Sequence, residues 1–159
     1  MKRMKWYFII LGVLLIAFAL LRCSKKELLI YPFKKATLNP DARQFIELLN
    51  NYRKENNLCE LKVDETASLL ALEHVFYMAE NGVSHDNLDE RRSELALEGA
   101  ENIMEVVCGG YSTVNGSFLG FTNSPKHDAI LLSNKINACG ISINEYDKKK
   151  IVAVIFFNI

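Results

Sequence analysis

The run at residues 151–157 constrains this chain more than any other stretch. It is almost continuously apolar and rich in β-branched and aromatic side chains, which suits a central strand covered on both faces. A second β-rich run spans 139–144, and residues 145–150 separate the two, so a hairpin is the natural connection. A strand with two dry faces needs covering layers, and the chain before it supplies helices. Asn39-Pro40-Asp41 can cap and open one. Phe45, Leu48, Leu49 and Tyr52 then recur at helical spacing, with an end expected near Asn56-Asn57. Asp64 can cap a second helix, stopped by Gly82. Leu69, Leu70, Leu72, Val75, Phe76 and Met78 make it apolar over much of its circumference, so burial on more than one side is expected. Residues 83–99 read as a charged loop with one helical turn near 93–97, and 103–108 as a short strand. Ser112 reads as the start of a third helix through Val114, Phe118 and Phe121. Helices first and a sheet last make an α+β layered domain.

At 159 residues and 50% hydrophobic, the chain suffices for one domain with a core and is too short for two. The formal charge balance hides an asymmetry. Lys2, Arg3, Lys5 and Arg22 precede residue 24, leaving 15 basic against 19 acidic residues beyond it, a net charge of −4. With no basic surplus to meet phosphates, nucleic acid is not an expected partner. Lys2, Arg3 and Lys5 lead into an apolar run at 6–21, slightly under the ~17–25 residues of a spanning helix. That is the pattern of an export signal, with a short uncleaved anchor as the alternative. Leu20 and Leu21 resemble the start of a bacterial lipobox ending at Cys23, although Arg22 stands where a small residue is usual. The expected organisation is therefore a signal peptide at 1–23 ending at a lipidated Cys23, a tether at 24–38 and a domain at 39–159. A lipid anchor makes the membrane a partner and places the protein at the outer membrane or cell surface, the alternative being a periplasmic or secreted form. Cys59, Cys108 and Cys139 then allow at most one internal disulfide, of undetermined pairing. No Cys/His spacing suggests structural zinc.

Two of the three histidines flank the segment Glu101-Asn102-Ile103. His85 lies sixteen residues before Glu101 and His127 twenty-six after it. Two imidazoles with a carboxylate are a metal or acid/base set if the fold brings them together. Ser124 three residues before His127 suggests a hydrolase, yet there is no nucleophile elbow and Pro125 more plausibly shapes a helix start.

From Leu49 to Asn158 the ordered motifs resemble the CAP superfamily, also called SCP or PR-1, in its compact bacterial form. Asn50 and Arg53 match its Asn-x-x-Arg, followed by Leu58 and Leu61. Ala71, His74 and Met78 lead into Val83-Ser84-His85. Glu101-Asn102-Ile103 matches its Gly-Glu-Asn-Ile, with Ala100 in place of the glycine, and Ser124-Pro125-Lys126-His127 matches Ser-Pro-x-His. Phe121 stands where tryptophan is usual, and the two final strand runs close the match.

The resemblance implies a three-layer α-β-α sandwich with a mixed, largely antiparallel sheet. It also implies a cleft where His85, Glu101 and His127 converge, with Ser124 in place of a second acid. No cofactor is then required, although His85 and His127, with Glu101, suit weak binding of Zn²⁺ or another divalent ion. The bland alternative is a hydrogen-bonded network that stitches loops to the sheet. Asn50 and Arg53 are expected to hold the first helix, His74 to be structural and Asn102 to bond backbone in the cleft loop. Asp89 or Glu90 is a candidate replacement for the missing acid. The function implied is an envelope-anchored, non-catalytic binding module for a host protein or a lipid or sterol ligand. The alternative is a weak metal-dependent hydrolase using His85, Glu101 and His127.

Overall fold

The computed structural model describes residues 38–159. The expected signal peptide, Cys23 and all but the last residue of the tether lie outside the described residues. Helix α1 (Pro40–Glu55) opens as its cap chemistry dictates: Asn39 Oδ1 accepts the Ala42 N–H at 2.8 Å, and Pro40 begins the first turn. The same Asn39 donates through Nδ2 to Ile143 O at 2.6 Å, tying the helix start to the sheet. After the two-residue strand β1 (Lys62–Val63), α2 (Glu65–Asn81) is capped by Asp64, which accepts the Ala67 N–H at 2.8 Å. It ends at Gly82, whose φ of +90° is ordinary for glycine and strained for other residues. Its buried residues, among them Ala67, Leu70, Ala71, Val75 and Met78, form one broad face, while Phe76 is half exposed. Burial on more than one side is thus corrected: one flank meets the sheet and the opposite flank meets water.

Residues 88–97 depart further from expectation. They form a ten-residue helix, α3 (Leu88–Leu97), in place of a loop with a single turn. The apolar period that marks a helix is missing because only Arg91 and Leu95 face inward, and one of the two is held by charge. Strand β2 (Glu101–Tyr111) extends beyond the expected short segment and is bulged near both ends. Thr113, not Ser112, caps α4 (Val114–Thr122), accepting the Gly116 N–H at 3.0 Å. Pro125 begins α5 (Pro125–Leu131).

Strands β3 (Ala138–Tyr146) and β4 (Lys149–Asn158) form the expected hairpin with longer arms. Asp147 and Lys148 at its tip both take positive φ, 48° and 60°, as a type I′ turn requires. The sheet order is β1-β3-β4-β2, with β1 parallel to β3 and the other pairs antiparallel. β4 is central and continuously buried from Ile151 to Phe157. Its Val152, Val154 and Phe156 pack with Phe45, Leu49, Phe121 and Leu131 from α1, α4 and α5. Ile151, Ala153, Ile155 and Phe157 pack with the inner face of α2 and with Leu95 of α3. This is an α-β-α sandwich whose two cores share one central strand. Cys59, Cys108 and Cys139 are free thiols, and burial pushes the pKa of both Cys108 and Cys139 up to about 12, so among the described residues no disulfide joins the layers.

The layers meet most closely at Gly140. A Cβ there would collide with the backbone of Ala67 and Ser68 in α2. Gly140→Ala should lower stability by about 1–3 kcal/mol. Urea unfolding of the variant with an unchanged midpoint would contradict that close approach.

Candidate functional site

The site grows from the alternation of β2. Met104, Val106 and Cys108 face the α1 side, and Ile103 and Val107 face the α2 side. Glu105 falls between the latter two, so its carboxylate enters an apolar interface with no side-chain exposure. An unpaired charge there would be prohibitive, and three donors answer it. Arg91 donates through Nε to Oε2 at 2.8 Å and through Nη2 to Oε1 at 2.9 Å, a bidentate fork. His85 Nδ1 lies 2.9 Å from Oε1. An ionised carboxylate only accepts, so Nδ1 carries the hydrogen and donates, and the exposed half of the ring is turned to solvent.

These contacts stitch residues 84–86 to the body of the protein. His74 Nε2 donates to Ser84 O at 2.8 Å, since a carbonyl can only accept. Arg91 Nη1 donates to Asp86 O at 2.9 Å, and Tyr77 donates to the Asp86 carboxylate at 3.0 Å. His74 is buried, and its Nε2 stands 3.8 Å from Glu105, outside hydrogen-bond range. Burial lowers its pKa from the ordinary value, although Glu105 and the Ser84 bond pull the other way.

His127, half-buried on α5, sets its ring edge-on to Phe121 at a centroid distance of 5.3 Å. Burial lowers its pKa, and the positive charge of a protonated His85 lowers it further, so the two imidazoles lie within electrostatic reach of each other. Ser124 is the residue before α5 and half-buried; its hydroxyl makes no cap bond, and among the described residues it makes none with His127. Asn50 clamps Leu61 by two bonds, donating to its carbonyl at 3.2 Å and accepting its N–H at 2.9 Å. The buried Arg53 donates to the carbonyls of Cys59, Leu131 and Ser133 at 3.0, 2.7 and 2.9 Å.

The central carboxylate is therefore not Glu101. Glu101 is exposed at the start of β2, opposite Asn158, and a bulge separates it from the regular ladder at Met104. Asn102, expected to bond backbone through its side chain, instead supplies the left-handed backbone of that bulge, φ 53°. Neither Asp89 nor Glu90 replaces a missing acid: Asp89 pairs with Arg92 at 3.4 Å, and Glu90 lines a hollow beside α2 and α3. The sequence does carry a signal for Glu105. It is a lone charge inside an apolar strand run, which demands a buried partner. For metal, the fit is poor. Among the described residues no three His, Cys, Asp or Glu side chains are placed to hold an ion, and Glu105 already spends its oxygens on Arg91 and His85.

Residues 46–157 match the profile of the cysteine-rich secretory protein family, CAP. Eight solved chains resemble this one, and three illustrate the likeness. An outer surface protein of Borrelia burgdorferi superposes with a TM-score of 0.68 at 22% identity, covering 78% of this chain and 96% of that one. An extracellular protein of Bacillus anthracis containing an SCP domain gives 0.62 at 24%, covering 78% of this chain and 45% of that one. A cysteine-rich secretory protein of Staphylococcus aureus gives 0.57 at 22%, covering 78% and 40%. At these identities the likeness is one of fold. No curated protein sequence matches at the threshold applied.

Removing Glu105 leaves Arg91 buried and uncompensated, so Glu105→Gln should cost about 3–5 kcal/mol, whereas Glu101→Gln should stay within about 0.5 kcal/mol. Chemical denaturation of the two variants checks the assignment, and equal losses would refute it. The two lowered histidines give a pH dependence with a definite sign. Their unfolded-state pKa is near the ordinary 6.5 and their folded-state pKa is lower. The unfolded chain therefore takes up protons first as pH falls. Stability is fully present above the unfolded value and is lost as pH drops below it. The slope of unfolding free energy against pH in this window should flatten in His74→Gln; an unaltered slope would assign it to other groups.

Proposed function

Because the chain belongs to the cysteine-rich secretory protein family, CAP, we propose that it is an exported, envelope-held binding module that performs no catalysis. The observation that carries the non-catalytic part is the saturation of Glu105. To take a proton or ligate a metal, this carboxylate would have to release the buried Arg91 fork, at a cost no compensating contact offsets. Nor does Ser124 have a base, since its hydroxyl is not hydrogen-bonded to His127. The network is spent on holding residues 84–86, which leaves the exposed ring of His85, with His127 and Ser124, as the face assigned to the ligand.

Export is supported by the charged start and apolar run at 6–21, and by the outer surface and extracellular descriptions of two relatives of the fold. The anchor we assign is a lipid on Cys23. Of the ligand classes, a host protein is favoured over a lipid or sterol. A hollow of about 390 Å³ beside α1 and α4 is lined by Asp41, Gln44, Thr113, Val114, Asn115 and Lys150, and the charged, amide and hydroxyl groups on this wall suit a polypeptide better than a sterol.

Calorimetric titration of Zn²⁺ into the full-length chain should give no saturable heat at millimolar metal. Peptide and ester substrates should not turn over. Hydrolysis that disappears in His127→Ala would overturn this reading in favour of the metal-dependent hydrolase. Cys23→Ser should move the protein out of the membrane fraction, and unchanged fractionation would remove the lipid anchor.

A further inference from the structure

A hollow of about 160 Å³ opens beside α2 and α3. It is smaller than the ~300–1,000 Å³ that encloses a drug-sized ligand, so it suits one small group and not a whole molecule. Glu73 of α2 and Glu90 and Glu94 of α3 line it, and none of the three has a hydrogen-bond or ion-pair partner among the described residues. Arg91 is the basic residue on the wall, and its charge is already answered by Glu105. The local field is therefore negative.

A second observation comes from His74, which also lines the hollow and is 2% exposed. Its Nε2 is committed as a donor to Ser84 O at 2.8 Å. The other ring nitrogen, Nδ1, is a lone-pair acceptor that is buried and has no partner among the described residues. A buried acceptor without a donor is unfavourable, and burial lowers the pKa of this ring, which favours its neutral, accepting form. Tyr77 stacks on His74 with centroids 6.0 Å apart and planes 14° apart, adding an aromatic wall.

We propose that this hollow, whose wall holds His74 with its unpartnered Nδ1 and the carboxylates of Glu73, Glu90 and Glu94, binds a primary alkylammonium group that enters to donate to them. Its N–H donors answer the imidazole lone pair and the carboxylates, and its aliphatic stem suits the aromatic wall. A bare divalent ion suits the site poorly, because no three ligating side chains among the described residues are placed to hold one. The source is a lysine side chain of a polypeptide or a free small amine. The inference does not rest on what the His85–His127 face binds: zinc and hydrolysis probe that face, and amines probe this one.

The test follows the His74 ring nitrogens by NMR in the ¹⁵N-labelled full-length chain. Nα-acetyl-lysine methylamide, cadaverine and the uncharged Nα-acetyl-norleucine methylamide are titrated separately. The two amines should shift the Nδ1 signal saturably, and the norleucine analogue should not. In the exposed double variant Glu90→Gln/Glu94→Gln, amine affinity should fall by about tenfold, or ~1.4 kcal/mol. Tighter binding of the blocked lysine would assign a polypeptide source, and tighter binding of cadaverine a free amine. No saturable shift, an equal response to norleucine, or undiminished affinity in the double variant would overturn the proposal.

Discussion

The bidentate pair between Arg91 and Glu105 is the interaction on which the helical layer around residues 83–97 depends. A carboxylate on the inner face of a central layer would ordinarily be excluded, and here it is the post to which a helix and a loop are tied. α3 contributes little apolar surface, with Leu95 as its one buried apolar side chain. Hydrophobic burial alone therefore gives it little reason to dock. The guanidinium fork supplies direction as well as attraction, and its remaining nitrogen fixes the backbone at Asp86. Buried ion pairs are often no more stabilising than apolar residues of the same size. What this one adds is orientation: it sets the carboxylate that in turn sets the ring of His85.

That arrangement separates two roles that a histidine–carboxylate pair can hold. When a carboxylate is free on its far side, it can share a proton with the ring or help ligate a metal. When an arginine occupies that side, the carboxylate is an anchor, and the imidazole keeps only its outward edge for chemistry. His85 belongs to the second kind. Glu105 fixes one edge of its ring, and about half of the side chain is shown to solvent.

Much of the architecture was legible because local chemistry and long-range packing agree. The apolar run at β4 required two covering layers, and Asn39, Asp64 and Gly82 marked helix ends by the hydrogen bonds and dihedral angles that only a few residues supply. The rest was hidden for physical reasons. α3 has no apolar period because charge, not oil, holds its inner face. The flanking histidines and the Glu-Asn-Ile motif point to Glu101, and neither carries information on pairing; the bulge between Glu101 and Met104 sets that residue apart from the ladder that carries Glu105. Glu101 and Glu105 would share a face in a regular strand; the left-handed backbone at Asn102 puts them in different environments. The chain has three histidines, of which His85 bonds Glu105, His74 bonds Ser84 O and His127 packs edge-on to Phe121. His74 and Glu105 show that a buried polar side chain is found by asking what could partner it, a question spacing cannot answer.

The irregularities of β2 have a bearing beyond the site. A sheet of order β1-β3-β4-β2 ends in two edges, and an open edge is a template for pairing with another chain. One edge is covered by β1 only at Ala138 and Cys139 of β3, and farther along it Ser68 Oγ accepts the Ile141 N–H and Asn39 Nδ2 donates to Ile143 O. The other is long, yet it is bulged near both ends, with Asn102 and Gly110 in left-handed conformations that turn the free backbone groups out of register. A second chain would thus find little unbroken ladder to extend on either side of the sheet, and the bulge that displaces Glu101 is part of the reason.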